Sequence, residues 1–224
     1  MYFCTKVFHE YTIMQLFRSL SDSPSINSEI EKYFLTEYPD RDVLLFYINR
    51  PAVIVGRNQS VEAEVNTSYC KVHGIEVMKR ISGGGTVYHD YGNINYAFIV
   101  RKTTESVLDM DFASPILAAL DALGVRASVG ARKELRVDNR KISGTSSYVA
   151  RHKILFHGTL LHRTNLNHLS QALKGNLFLR GRLVASVPDN VMNLSEITGI
   201  NETTCDFLDR MIRVISHRYS AQSH

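Results

Sequence analysis

Three separated stretches of this sequence carry residue types that could do chemistry together. The first runs Arg80-Ile81-Ser82-Gly83-Gly84-Gly85-Thr86-Val87-Tyr88-His89-Asp90. Three consecutive glycines remove all side-chain obstruction and open φ values closed to other residues. Backbone N–H groups of such a loop can converge on an anion, as in the concave amide nests that hold phosphates. Arg80 and the hydroxyls of Ser82 and Thr86 would add charge and donors. The second stretch, Arg140-Lys141-Ile142-Ser143-Gly144-Thr145, reads as a strand just after a turn. Arg140 and Lys141 then face opposite sides, one of them inward, and Ser143 shares the face of Lys141. The third, Phe156-His157-Gly158-Thr159, is a strand whose glycine lets a ligand or a second backbone approach closely. Taken alone, a glycine triplet also fits a surface loop, and His157 also fits a hydrogen-bonded core histidine.

The elements that must position these residues follow from periodicity. Glu29–Phe34 reads as the body of a helix that starts out of the Ser-rich stretch Ser19–Ser28. Val43–Ile48 and Ala52–Val55 read as two buried strands joined by a turn at Asn49-Arg50-Pro51, and Glu62–His73 as one helix closed by Gly74. Glu76–Arg80, Val87–His89 and Ile94–Val100 read as strands, with the glycine loop between the first two. Ser114-Pro115 opens a helix that stops at Gly124, because proline is tolerated where the first-turn N–H has no partner. Glu134–Val137 and Arg140–Ser143 flank Asp138-Asn139, a pair that tolerates the positive φ of a tight hairpin. Ile154–His162 reads as a strand, Leu166–Leu173 as a helix, and Thr203–Tyr219 as a last helix burying Phe207, Leu208, Met211, Ile212 and Ile215. Strands come in groups with helices between the groups. That favours an α+β fold with a mixed, largely antiparallel sheet flanked by helices.

Composition bounds the rest. At 224 residues with 44% hydrophobic and 21% charged, the chain can bury a sizeable core, which excludes general disorder. Lys plus Arg exceeds Asp plus Glu by 26 to 22, a net charge of +4. That excess is too small to imply nucleic acid but suits a pocket for an anionic substrate. No apolar run approaches a membrane span, and no linker divides the chain, so one domain over residues 1–224 is expected. Cys4, Cys70 and Cys205 lie far apart, which reads as a reducing compartment with incidental thiols. Lys6, His9 and Glu10 interrupt the first residues, so no signal peptide is read and the expected location is the cytoplasm. The motifs of Walker-type NTPases, dinucleotide folds, nucleophile-elbow hydrolases, zinc proteases and EF-hands are all missing.

Together the three stretches resemble the signature of the lipoate–protein ligase A family. The flanks agree: Val53-Ile54-Val55-Gly56-Arg57 resembles the family's strand ending in Gly-Arg, and Ser186-Val187-Pro188-Asp189-Asn190-Val191-Met192-Asn193-Leu194 its later Ser-Val…Val-x-Asn-Leu run. The likeness covers about 25–219. It implies a catalytic domain like that of biotin ligase, related to class II aminoacyl-tRNA synthetases. It also implies ATP-dependent activation of lipoate to lipoyl-AMP, then transfer to a lysine of a 2-oxoacid dehydrogenase acceptor domain or of the glycine-cleavage H protein. Lys141 matches the family's catalytic lysine, which contacts both the acyl carboxyl and the α-phosphate. Arg80, Gly83, Gly84, Gly85, Thr86, Val87 and Tyr88 match the adenylate-binding segment. Lipoate is assigned to Lys141, Arg80, His89 and Gly85. Ser82, Asn93, Ser143, Thr145 and His157 are expected to complete a polar lining, and Val53 and Val55 to wall the acyl tunnel. Mg²⁺ is expected because pyrophosphate leaves, with Glu134 as its carboxylate.

Two departures from the family pattern stand out. Where members usually carry Gly-Arg-Asn-Asp-Leu this chain has Ala131-Arg132-Lys133-Glu134-Leu135. The length accommodates the catalytic domain without the C-terminal accessory domain of many bacterial ligases. A separate accessory subunit, or a transferase that uses preformed lipoyl-AMP, is the corresponding alternative. An octanoyltransferase, which needs a thiol at the site, and a non-catalytic lipoate or adenylate binder are the others.

Overall fold

The computed structural model describes residues 2–9, 12–38, 40–102, 110–176, 179 and 185–220. In chain order it begins with strands β1 (Tyr2–His9) and β2 (Thr12–Arg18), helix α1 (Pro24–Thr36), β3 (Asp42–Tyr47) and β4 (Ala52–Val55). Short helices α2 (Val61–Glu64) and α3 (Thr67–Val72) lead to β5 (Glu76–Lys79), β6 (Val87–His89) and β7 (Asn93–Arg101). Helix α4 (Ser114–Ala122) precedes β8 (Ser128–Val129), β9 (Leu135–Val137), β10 (Arg140–Lys141), β11 (Thr145–Val149) and β12 (Lys153–Leu161). Helices α5 (Leu166–Ala172), α6 (Ser195–Thr198) and α7 (Thr204–Ser220) follow. The α+β expectation holds.

Six strands form the main sheet in the order β1-β2-β3-β7-β12-β11, antiparallel throughout except for the parallel pair β2–β3. Alternation along its central strands sends side chains to two cores. Leu44, Phe46, Tyr96, Phe98, Phe156 and Leu160 cluster with Ile116 and Leu120 of α4 and with Phe207, Leu208 and Met211 of α7. Val43, Leu45, Ala97, Ile99 and Leu155 cluster on the other face with Phe34 and Leu35 of α1. Because both faces are covered, β3 reads as a continuous apolar run rather than an alternating one. Each Val, Leu, Ile, Phe or Met side chain so buried contributes roughly 1.5–3 kcal/mol. Helix α1 is anchored at its end by Lys153, 1% exposed, whose ammonium donates to the carbonyls of Phe34, Tyr38 and Arg41. A cation there also offsets the negative end of the helix dipole.

Two small sheets carry the first two chemistry-bearing stretches, while the third lies on β12 of the main sheet. In one, β4 runs parallel to β5 and antiparallel to β6, and the glycine loop joins β5 to β6. In the other, β9 and β10 form the expected hairpin: Asp138 and Asn139 take φ of 46° and 63°, the positive values of a type I′ turn. Strands β3 and β4 follow one another as expected and lie in different sheets. Elsewhere the structure corrects the sequence reading. The single helix expected over 62–73 is two, because Asn66 caps a new start by accepting from the Tyr69 amide. The reading also passed over β1, β2, β8 and β11.

Lys133 adopts φ of 62°, a left-handed conformation that costs a residue with a Cβ roughly 1–2 kcal/mol and that asparagine tolerates. This gives a physical reason for the asparagine at the equivalent place in the family pattern. Lys133→Asn is expected to raise stability by roughly 0.5–1 kcal/mol. A higher urea midpoint at unchanged slope would show it. A lower midpoint would mean that the lysine side chain's contacts outweigh the backbone strain.

Candidate active site

A cleft of about 320 Å³ opens between the small sheets and the main one, within the usual range for small-molecule sites. One wall is the glycine loop. Arg80 folds back beneath it, donating from Nε to Ser82 Oγ at 2.9 Å and from Nη1 to the Ile54 carbonyl at 3.0 Å. Its Nη2 donates to the carbonyls of Gly83 at 2.5 Å and Gly85 at 2.7 Å. With those carbonyls turned to Arg80, the amides of Gly84 and Gly85 find no acceptor among the described residues. Both glycines line the cleft. Burial lowers the Arg80 pKa to about 10, with the Glu31 carboxylate opposing the shift. The loop is pinned from three sides. Ser146 on β11 donates to Gly83 O at 2.9 Å, Ser186 Oγ accepts from the Thr86 amide at 2.9 Å, and Thr86 Oγ1 donates to Gln59 Oε1 at 2.9 Å.

A chain of polar contacts underlies Arg80. His157 Nδ1 lies 3.2 Å from both carboxylate oxygens of Glu31, so that nitrogen carries a proton, and the Ser82 hydroxyl sits 2.7 Å from Nε2. Tyr47 donates to the same Glu31 carboxylate at 2.9 Å. Ser82 is fully buried, so this Glu–His–Ser order orients the Arg80 guanidinium instead of presenting a nucleophile to the cleft.

Lys141, on β10, belongs to the same cleft. Its backbone donates to Asn190 O and accepts from Met192 N, which fixes β10 against the 190–192 segment. Lys141 lines the cleft, whereas Arg140 turns away to pair with Glu196 at 3.5 Å, as strand alternation requires. Burial pushes the Lys141 amine below the usual lysine range, and Asp189 partly opposes that shift. Gly144 lies against this side chain: a Cβ built there would meet Lys141 Cε and Nζ at 3.6 Å, an ordinary contact.

Not every residue singled out from sequence reaches the cleft. Gly84, Gly85, Thr86, Val87, His89, Glu134, Lys141, Thr145 and His157 line it with Arg80. The Tyr88 side chain points the other way, because alternation along β6 packs it with Val53, Val55 and Cys70. The same alternation on β4 corrects the tunnel assignment: Val53 and Val55 are core, and Ile54 between them faces the cleft. Gly83 offers its carbonyl to Arg80 and Ser146 and stays out of the lining. Ser143 is buried beside Tyr96 Oη at 3.4 Å, and Asn93 donates to Asn95 Oδ1, so it is Asn95 that borders the cleft. The sequence reading missed Glu31, Tyr47 and Asn49 altogether. Glu31 left one legible trace, an acid on the same helix face as Phe34 and Leu35.

The donor set around Glu134 does not build a resident Mg²⁺ site. Its Oε1 accepts from Arg136 Nε at 2.9 Å and its Oε2 from the Arg132 amide at 2.8 Å. Burial works to raise the Glu134 pKa, but these hydrogen bonds outweigh it and hold the carboxyl below its usual range. Asp189 Oδ2 is likewise taken by Arg136 at 2.5 Å. Among the described residues no group of three or more His, Cys, Asp or Glu side chains could hold a metal ion.

Comparison with known proteins decides the family. The family model described as "Lipoyl protein ligase A/B catalytic domain" matches residues 23–216. The chain belongs to this family. Lipoyl protein ligase A/B relatives include the lipoate-protein ligase LplJ of Bacillus subtilis, 38% identical over 197 residues, covering 87% of this chain and 60% of the relative. Lipoate-protein ligase 1 of Staphylococcus aureus is 40% identical over 176 residues, covering 77% and 54%. The chain therefore spans little more than half the length of these curated relatives. Among solved structures, P. falciparum LipL1 in complex with lipoate superposes with a TM-score of 0.77 at 24% identity, over 94% of this chain and 64% of that one. A lipoate-protein ligase A bound with ATP gives 0.72 at 25%, covering 91% and 83%. The fold is that of the family's catalytic domain.

Proposed function

We propose that this chain activates lipoate with ATP and transfers the lipoyl group to a lysine of an acceptor protein. The observation that carries the reading is that one cleft holds both the half-buried Lys141 amine and the amides of Gly84 and Gly85, which find no acceptor among the described residues. The names of the curated relatives, and the lipoate- and ATP-bound structures of similar proteins, support it.

In the first step the lipoate carboxylate attacks the α-phosphorus of ATP, forming the mixed anhydride lipoyl-AMP and releasing pyrophosphate. Two anions must meet. A fixed ammonium between them lowers their repulsion and stabilises charge on the phosphorane, while the Gly84 and Gly85 amides supply preorganised donors. In the second step the amine of the acceptor lysine attacks the acyl carbon, AMP leaves, and an amide forms. Lys141 then faces the oxyanion of the tetrahedral intermediate. The acceptors proposed are lipoyl domains of 2-oxoacid dehydrogenase complexes and the glycine-cleavage H protein. A solved bipartite ligase from T. acidophilum is paired with its E2 lipoyl domain. A cytoplasmic location is supported by the scattered cysteines, and no helix among the described residues is long and apolar enough to cross a membrane.

An octanoyltransferase would need a thiol at the cleft. Cys70 is buried in the core behind β6 and Cys205 is exposed on α7; neither lines the cleft. The deciding experiment is pyrophosphate release from ATP and lipoate by this chain alone, followed by mass shift of an added lipoyl domain. Release without acceptor is the expected result. Labelling only from supplied lipoyl-AMP would make the chain a transferase dependent on another activating component. Binding with neither activity would leave a carrier of lipoate or its adenylate.

A further inference from the structure

Lys141 lies among acids yet pairs with none of them. The charged groups acting on it are Asp189, Arg132, Glu134 and Arg136; the two acids favour its ammonium and the two arginines oppose it. Its Nζ has no hydrogen-bond or ion-pair partner among the described residues. A charge drawn out of water is ordinarily paired, so a half-buried ammonium left free beside two carboxylates calls for a cause.

That cause lies on the neighbouring strand. Arg136 of β9 is the cross-strand partner of Lys141 on β10, so the two side chains leave the hairpin on the same face. Arg136 stays out of the cleft lining and closes on the acids instead. Its Nε donates to Glu134 Oε1 at 2.9 Å, its Nη2 to Asp189 Oδ2 at 2.5 Å, and its Nη1 to the Asn139 carbonyl at 2.7 Å. Arg132 places a second cation 3.6 Å from the same Asp189 oxygen. Asp189 cannot simply move off, because the next residue, Asn190, accepts from the Lys141 amide. An acid tethered there stays away from the amine only while another cation occupies it. A guanidinium suits that task, since its fork of five donors serves two carboxylates at once.

We propose that Arg136 is a positioning residue for the reaction: by holding the Asp189 and Glu134 carboxylates it keeps them off the Lys141 ammonium, which is left free to meet the substrate's carboxylate and α-phosphate. The inference deepens the proposed function and rests on it for the role of Lys141. Without Arg136 the nearer acid closes on Lys141, and the ammonium reaches the cleft already neutralised. The loss of a neighbouring cation and the gain of an acid both favour the protonated amine, so the Lys141 titration moves to higher pH.

The test has two readouts. Acetic anhydride labelling of Lys141 across pH, read by peptide mass, follows its titration without substrate. Acid-dependent pyrophosphate release gives kcat/KM. Arg136→Met is expected to move the titration to higher pH and to lower kcat/KM at pH 7 at least about tenfold, the scale of one hydrogen bond to a charged group. Adding Asp189→Asn removes the freed acid; it should bring the titration back down and recover most of the rate. Arg136→Lys keeps the charge without the fork, should show a smaller shift in the same direction, and carries the test if Arg136→Met fails to fold. An unmoved titration in the folded Arg136 variants overturns the proposal. So does a fall in rate that Asp189→Asn leaves unrelieved, the result of a merely structural role. Labelling is read on the free protein, so a parent chain that releases no pyrophosphate overturns the proposed function while the Lys141 titration still decides what Arg136 does.

Discussion

Lys141→Ala is expected to reduce acceptor lipoylation by at least about a thousandfold while the fold survives. Removing a single preorganised donor from a developing oxyanion costs on the order of 10²–10³ in rate. Lys141 is asked to serve twice, at the phosphorane and at the acyl oxyanion. Its ammonium also lies partly out of water, where a charge acts more strongly than at the surface. The fold should tolerate the change because the hydrogen bonds that fix β10 there are backbone ones, to Asn190 and from Met192. A thermal midpoint within a few degrees of the parent, together with loss of the mass shift on the lipoyl domain, would meet the prediction. Substantial labelling by the folded variant would remove Lys141 from its role.

The depressed pKa of Lys141 adds a signature in pH. An amine that works as an ammonium is active below its pKa and inactive above it. Burial moves that pKa down from the usual lysine value, so in the free enzyme kcat/KM should fall on the alkaline side sooner than an exposed lysine would allow. Bound anions favour the ammonium, so the same limb in kcat should lie at higher pH. If the two limbs coincide, another group sets the profile.

What could be read from the sequence was decided by whether its cause is local. The turn at Asp138-Asn139 was legible because two adjacent residues suffice for positive φ, and the hairpin then turned Lys141 one way and Arg140 the other. The glycine loop was legible as a cradle, but the direction of Arg80 was not. Its guanidinium faces inward because Ile54, Gly83 and Gly85 offer carbonyls on segments that come together only in the folded chain. Glu31, Tyr47 and Asn49 escaped notice for the same reason: each meets its partner across 16 to 126 residues of sequence. Val53 and Val55 show the opposite failure. Any apolar strand suits a tunnel wall, and only the pairing of β4 between β5 and β6 decides that Ile54 is the residue facing it.

Gly84→Val should weaken binding of ATP or of a non-hydrolysable lipoyl-adenylate analogue by at least about a hundredfold. Gly84 sits at φ of 81°, where an L side chain costs roughly 1–2 kcal/mol and a β-branched one more. A Cβ there would meet Arg80 Nη2 at 3.1 Å and Ser146 Oγ at 3.3 Å, the two groups that set the loop's shape by binding Gly83 O. Relief of that crowding requires the loop to turn, and the Gly84 and Gly85 amides turn with it. Gly83 supplies the control. It has no positive φ, and a Cβ there would meet nothing within 4 Å, so Gly83→Ala should bind nearly as the parent does. Titration calorimetry on both variants separates a requirement at one backbone position from a general need for a flexible loop. Equal losses in the two would favour flexibility and undo the amide-cradle account; a loss confined to Gly84→Val ties adenylate binding to the backbone direction that Arg80 and Ser146 impose.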